Sequence, residues 1–216
     1  MKYGERRNHP WQDIDLRDYE NHMCLDDVQQ LPKLNEIMKE QFIAYPAKTV
    51  MILGVAGGNG LEHIDPHIFD KVYGIDINSD YLAESVKRYP QLLGTYETIC
   101  CDLSEADVIL PETDLLIADL LIEYIGYDCF QNTVKQVKPS YVSCVIQINS
   151  DAAFVSASPF RHVFDRLDEI HHSLTEHSLS EAMHAIGYHQ RLRSELALPN
   201  GKKLVRLDFM RPHKEK

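Results

Sequence analysis

The chain has 216 residues, 44 % of them apolar and 25 % charged, and 22 basic against 33 acidic side chains leave a formal net charge of −11. At about 150 residues per domain this is one large domain, or one domain with an extension, with enough apolar material to build a core without metal or disulfide staples. The negative field argues against a large nucleic-acid footprint, no apolar run reaches the length of a membrane span, and five cysteines, an odd number without a C-x-x-C pair, argue against a disulfide framework or a structural zinc site.

Taken in chain order, the first seven residues, Met1 to Arg7, lack the apolar stretch of a signal peptide. Together with the cysteine usage this makes the cytoplasm the expected compartment. Residues 1–47 read as a helical extension or lid. Its main helix places Leu31, Leu34, Met38 and Phe42 on one face, with Asp26 or Asp27 as cap and Tyr45-Pro46 as stop. Pro32 either opens this helix or kinks it.

From Lys48 the texture changes. Thr49–Leu53, Val72–Ile75, Thr98–Cys100, Asp114–Ala118 and Tyr141–Ile146 are short apolar runs. Such runs suit a parallel sheet covered on both faces. Between them Ser79–Tyr89, Ser104–Val108 and Tyr127–Val137 are expected as crossover helices, which implies a doubly wound α/β sheet. Leu174, Leu179, Met183 and Ile186 form a helical stripe whose default role is core packing. At the end, Tyr188–Leu198 and Lys202–Met210 flank Pro199-Asn200-Gly201, a strong hairpin signal.

Three features converge on one edge of this sheet. The first apolar run leads into Gly54-Val55-Ala56-Gly57-Gly58-Asn59-Gly60, where glycines let the backbone pass close to a ligand and Asn59 can cap the next helix. The second run ends in Asp76, placed to accept both hydroxyls of a ribose. The next two end in Asp102 and Asp119. Ligands of open α/β sheets bind outside the carboxyl ends of the strands, so recurring acids there point to a nucleoside-bearing ligand that is not a polyphosphate. No Lys follows the glycines, which excludes a P-loop, and His63 stands where a dinucleotide fingerprint needs Gly or Ala.

From about Thr49 to Met210 the chain resembles the class I S-adenosylmethionine-dependent methyltransferases. The resemblance rests on Ile52–Gly60, Gly74-Ile75-Asp76, Cys101-Asp102-Leu103 and Asp114–Leu121. It implies a Rossmann-like α/β fold: a doubly wound, mostly parallel seven-stranded sheet of order 3-2-1-4-5-7-6 with an antiparallel terminal hairpin, here over residues 48–216. It implies S-adenosyl-L-methionine as cofactor. Gly54, Ala56, Gly58, Asn59 and Gly60 would line its methionine and ribose part. Asp76, with Ile77 beside it, would take the ribose hydroxyls, Asp102 the adenine amino group and Leu103 the ring face. Asp119 and Leu120 would border the methyl-donor side. Two positions depart from the family pattern: Gly54 stands where an acid is usual, and Ala56 replaces the first glycine of Gly-x-Gly-x-Gly. The methionine ammonium then needs another acceptor, a backbone carbonyl or Asp119.

The chemistry implied is an in-line displacement that needs alignment and exclusion of water more than a fixed catalytic residue. Ala118-Asp119-Leu120-Leu121 is not an Asn/Asp-Pro-Pro-aromatic motif and lacks Pro-Cys, which tells against methylation of nucleic-acid bases. A small-molecule acceptor is expected, with a protein acceptor or a non-catalytic nucleoside-binding protein as alternatives. An aminopropyl transferase on the same scaffold finds only Glu123 and Asp128 in its favour. Substrate contacts are expected from the N-terminal zone, from Leu121–Tyr127 and from the insertion between Asn149 and His172. The candidates are Tyr19, His22, Glu123, Tyr124 and, as a general base, His162. Against them stand a solvent-facing Glu123 and an arm of Trp11, Tyr19 and His22 that merely packs on the sheet. Among the six histidines from His162 to His189 no metal-binding spacing occurs, so no metal site is expected.

Overall fold

The computed structural model describes residues 9–149, 155–156 and 158–212. Seven strands form one sheet: β1 (Thr49–Leu53), β2 (Lys71–Asp76), β3 (Tyr96–Cys100), β4 (Leu115–Asp119), β5 (Tyr141–Ile148), β6 (His189–Ala197) and β7 (Lys203–Met210). Their order is β3-β2-β1-β4-β5-β7-β6. The first five are parallel, and β7 runs antiparallel to both neighbours. This is the expected order, and β1 and β4, neighbours in space but not in sequence, create the switch point where open sheets bind ligands.

The helices are α1 (Leu16–Met23), α2 (Gln30–Ile43), α3 (Ser79–Arg88), α4 (Ile122–Val137) and α5 (Glu176–Ala185). Period-two side chains divide between two layers. Met51, Leu53, Leu116, Ala118, Val142 and Cys144 meet Phe130, Val134, Leu179 and Met183 of α4 and α5. Val50, Ile52, Leu115 and Ile117 meet Met38 and Phe42 of α2 and Leu82 of α3. Both faces of the central strands are therefore dry, which is why they read as unbroken apolar runs. Pro32 is the third residue of α2, where its missing N–H has no helical partner to lose. Among the described residues no helix is long and apolar enough to cross a membrane.

Four expectations are corrected. Gln29, in a left-handed conformation, precedes α2 in place of an Asp cap. Ser104–Val108 is not helical: the Asp102 carboxylate accepts from Ser104 N (2.9 Å) and Ser104 Oγ (2.7 Å) and closes a turn instead. The glycine loop opens only a three-residue 3-10 turn, Leu61–His63, because Asp65 precedes Pro66 and such a residue disfavours the helical region. Asn59 caps nothing there; its amide donates to Leu31 O and its oxygen accepts from Asn35, each at 3.1 Å. Finally, α4 begins at Ile122 and is kinked at Gly126 (φ 72°, ψ 172°), so residues 122–125 are a separate turn beside the sheet edge. The edge strand β6 is exposed along almost its whole length, Leu192 included, and its charged side chains suit an unpaired edge.

A polar network is sealed beneath α2. Arg206 grips Asp208 through two parallel bonds, Nε to Oδ1 at 2.9 Å and Nη2 to Oδ2 at 2.6 Å. Asp208 also accepts from Tyr45 Oη at 2.8 Å and Ser143 Oγ at 2.5 Å. Gln41 Nε2 then donates to Ser143 Oγ and to Asp119 Oδ1, each at 2.9 Å. Arg206 is 3 % exposed and Asp208 fully buried. Removing Asp208 leaves the buried Arg206 guanidinium to the largely exposed Glu40 carboxylate, 3.5 Å away, so Asp208→Ala should cost about 3–5 kcal/mol. Urea denaturation measures this; a loss below about 1 kcal/mol, the size of a surface pair, would mean the network is hydrated.

Candidate functional site

A cavity opens at the carboxyl edge of β1, β2 and β4. Its floor is main chain held in unusual conformations. Gly54 (φ 70°), Ala56 (φ 47°) and Leu120 (φ 53°) are all left-handed, the last two without glycine's freedom. Strained non-glycine residues persist where surrounding structure over-determines them, and they cluster at functional sites. Gly54 N and Val55 N both donate to Ile75 O, at 2.8 and 3.1 Å, which ties the loop to the end of β2. A Cβ on Gly54 would lie 3.1 Å from Leu121 Cδ1. Leu121 thus takes the space beside the position where an acid was expected.

The structure brings together Gly54, Ala56, Asp76, Ile77, Asp102, Leu103, Asp119 and Leu120, with Tyr19, His22, Glu123 and Tyr124, on the wall of this one cavity. Gly58, Asn59, Gly60 and His162 are not among its lining residues. A Cβ on Gly60 would lie 2.7 Å from Met38 Sδ, so this stretch of the loop serves the packing of α2. His162 is exposed, while Phe164 and Leu167 of the same 3-10 helix (Arg161–Glu169) face inward.

Four carboxylates line the cavity, and among the described lining residues there is no lysine or arginine. Asp76 accepts from Ala56 N and Asn78 N, each at 2.9 Å. Burial still raises its pKa, the backbone bonds opposing the shift. Asp102 is engaged by its turn. The other two are less satisfied. Asp119 Oδ1 accepts from Gln41, and Glu123 Oε1 accepts from Gln147 N at 2.9 Å. Asp119 Oδ2 and Glu123 Oε2 are buried without a hydrogen-bond partner among the described residues. Burial pushes both carboxyls up to about 7. Burial also lowers His9, His22 and His171 below the ordinary imidazole range, so they add little positive charge at neutral pH.

The roof comes from two segments. Trp11 packs edge-on against Tyr124 (5.0 Å) and Tyr19 (5.9 Å), and Tyr19 stacks on Tyr81 (6.3 Å). Asn78 Nδ2 donates to Trp11 O at 3.0 Å and Tyr81 Oη to Ile14 O at 2.9 Å, fixing residues 11–14 over β2. An Arg88–Glu20 ion pair ties α1 to α3. Opposite, Val155, Phe164 and Leu167 pack on Ile14. His22 is 3 % exposed and bonds Ser158 Oγ at 2.7 Å, joining the segments. A solvent-facing Glu123 is excluded by its 6 % exposure.

Gln30, Gln147, Asn149 and His171 also line the cavity and were not named as candidates, although Gln30, Asn149 and His171 fall in the zones expected to supply substrate contacts. For Gln147 and Asn149 a signal existed: they end β5 at the same edge as the acids of β2 and β4. Gln30 carried none, because only the tertiary packing of α2 brings it to Gln147, whose oxygen accepts from its amide.

No protein-family model matches the chain, and no curated protein matches it in sequence. Solved structures do match in shape. The N-methyltransferase NodS from Bradyrhizobium japonicum WM9, in complex with S-adenosyl-L-homocysteine, aligns at 13 % identity over 92 % of this chain and 98 % of that one, TM-score 0.65. The magnesium protoporphyrin IX methyltransferase ChlM from Synechocystis PCC 6803 aligns at 11 % identity over 94 % and 91 %, TM-score 0.62. The [4+2]-cyclase SpnF aligns at 10 % identity over 86 % and 82 %, TM-score 0.65. At these identities the likeness is one of fold, and the chain has the class I methyltransferase fold. A cyclase on the same scaffold illustrates that the reaction must be argued from the site.

The two under-satisfied carboxyls generate a pH prediction. In the folded state they hold protons at pH values where the unfolded chain, near 3.8 and 4.5, has released them. Their contribution to stability therefore falls as pH rises from about 4 to about 7 and is flat above, by about 3–4 kcal/mol per carboxyl. Asp119→Asn and Glu123→Gln should each flatten the stability curve of the free protein across that window. Urea denaturation at a series of pH values measures the slope; identical slopes in wild type and both variants would put these groups in water.

Proposed function

We propose that the chain is an S-adenosyl-L-methionine-dependent methyltransferase acting on a small molecule, and that its place of work is the cytoplasm. The observation that carries this is the lining of the cavity: four carboxylates without lysine or arginine, at the switch point of this fold, two with bare buried oxygens. Such oxygens are costly unless a cation or donor meets them. The proposed cofactor brings both, an ammonium and a sulfonium together with a ribose diol and an adenine amino group, so the residues present fit it.

Asp76, with Ile77 beside it, would hold the ribose diol, since a carboxylate has lone pairs beyond the two backbone bonds it accepts. Asp102 would meet the adenine amino group and Leu103 the ring. The Gly54–Ala56 main chain and Leu120 would lie along the methionine part. Asp119 Oδ2 would take the ammonium in place of the acid absent at Gly54. When bound, the cofactor supplies an electrophilic methyl group on a sulfonium. The protein's own share is to orient the partners and keep water out. Residues 1–47, read as a helical extension or lid and described from residue 9 onward, provide Trp11 and Tyr19, whose ring faces also favour a cation. A roof of two packed segments suits a small acceptor better than a folded protein, and the structural neighbours ChlM and geranyl diphosphate C-methyltransferase are named for small-molecule substrates. The rival reading, a protein that binds the cofactor without transferring its methyl, draws on the missing acid at Gly54. Methyl transfer from isotope-labelled cofactor into a metabolite pool separates the two.

Asp76→Ala should weaken binding of S-adenosylhomocysteine by about 1.5–3 kcal/mol, through loss of charge-assisted bonds, or roughly 10- to 150-fold. Titration calorimetry measures this. An unchanged affinity in a folded variant would remove the ribose assignment and with it the proposed orientation of the cofactor.

A further inference from the structure

Four carboxylates line the cavity, and the proposed cofactor accounts for three. Its diol, adenine amino group and ammonium match Asp76, Asp102 and Asp119. Glu123 is left over. It lies four residues after Asp119, in the short turn before the Gly126 kink, and it is held rigidly. Gln147 N–H anchors Oε1 at 2.9 Å, and the Glu123 carbonyl accepts from His172 N at 2.6 Å. Its other oxygen is bare in a residue only 6 % exposed. Trp11, which meets Tyr124 edge-on, and Phe164 line the same cavity, with Gln147 and the Gln30 that donates to it beside Glu123. The indole N–H of Trp11 is likewise buried without a partner among the described residues. A fixed acceptor of negative charge beside aromatic rings is the recognition chemistry of a protonated or hydrogen-bonding nitrogen. It disfavours an acceptor that presents a carboxylate or phosphate, which would meet Glu123 as a like charge.

Resting on the proposed methyltransferase function, we infer that the methyl acceptor is an amine, and that Glu123 Oε2 is the group that holds its nitrogen and receives its proton. The balance is simple. An ammonium nitrogen has no free electron pair, so one N–H proton passes to the Glu123 carboxylate. The freed pair forms the new N–C bond, and the electrons of the broken S–C bond stay on sulfur. The proton leaves Glu123 for water once the product departs. A carboxyl titrating near neutrality is suited to this exchange.

The test uses the full chain saturated with S-adenosylhomocysteine, titrated with benzylamine, phenethylamine and hexylamine, each against the alcohol and carboxylate of the same skeleton. Wild type should bind the amines at least about tenfold more tightly than the matched alcohols, the discrimination of a charge-assisted bond, and the carboxylates more weakly still. Glu123→Gln retains the oxygen that accepts from Gln147 N–H, so it should fold, keep its affinity for S-adenosylhomocysteine within about threefold (under 1 kcal/mol) and lose the preference for amines. Thermal denaturation verifies folding, and Glu123→Ala gives a second variant with the same expected loss. Wild type that binds S-adenosylhomocysteine without preferring amines on any skeleton overturns the inference, as does a variant that retains the preference. Failure to bind S-adenosylhomocysteine at all would instead overturn the cofactor reading on which the inference rests.

Discussion

Two carboxyl oxygens at the carboxyl edge of this sheet, Asp119 Oδ2 and Glu123 Oε2, are kept from water, and the character of the cavity stems from that. Asp119 ends β4 with one oxygen held by Gln41 and the other bare. In solution neither oxygen would be costly to ionise. Under α2 and behind the aromatic roof, ionisation is disfavoured, and the carboxyl is pushed up to about 7. Glu123, four residues further on in the first turn of α4, is in the same position for the same reason. The free protein therefore carries stored electrostatic cost at the place where a cationic ligand would relieve it.

That arrangement needs rigid support. Asp119 is linked through Gln41 and Ser143 to the Arg206–Asp208 pair, so the floor of the cavity is continuous with a sealed network under α2. Mutual hydrogen bonds among these buried groups favour one geometry, with Gln41 Oε1 and Asp119 Oδ2 left without a partner among the described residues. The network also explains why α2 carries Gln41, a fully buried glutamine, on its inward face. The roof is tied down by different means. Ring contacts and hydrogen bonds to backbone oxygens hold residues 11–14, and ion pairs at its rim, Arg88–Glu20 and Arg166–Asp13, are partly exposed. Such pairs contribute little each, so the roof is the less strongly held of the two layers, as entry of a ligand requires.

Left-handed Ala56 and Leu120 sit at the ends of β1 and β4, which lie side by side in the sheet but far apart in sequence. The strain lies where the two halves of the sheet diverge. It turns both chains away from the strand direction and opens the crevice into which Asp76 and Asp119 project from either side.

The sequence alone determined the sheet and its edge. Unbroken apolar runs and the Asn-Gly hairpin are local signals, and they carried the strands and the acids at their ends, while the order of the strands came from the family resemblance of the motifs. It did not determine which loop residues reach the cavity: Asn59 and Gly60 belong to the packing of α2, Gly58 to that of Ser85 in α3 and of Tyr89, and His162 points outward while Phe164 points in. Nor did it show that Ser104–Val108 is a turn or that Gly126 breaks α4, since both depend on one residue's competition with its surroundings. Above all, burial of Glu123 and the pairing of Gln30 with Gln147 are products of tertiary packing. Whether a carboxylate is solvated or bare depends on what covers it, and here the cover comes from residues roughly a hundred positions away, beyond the reach of any local pattern.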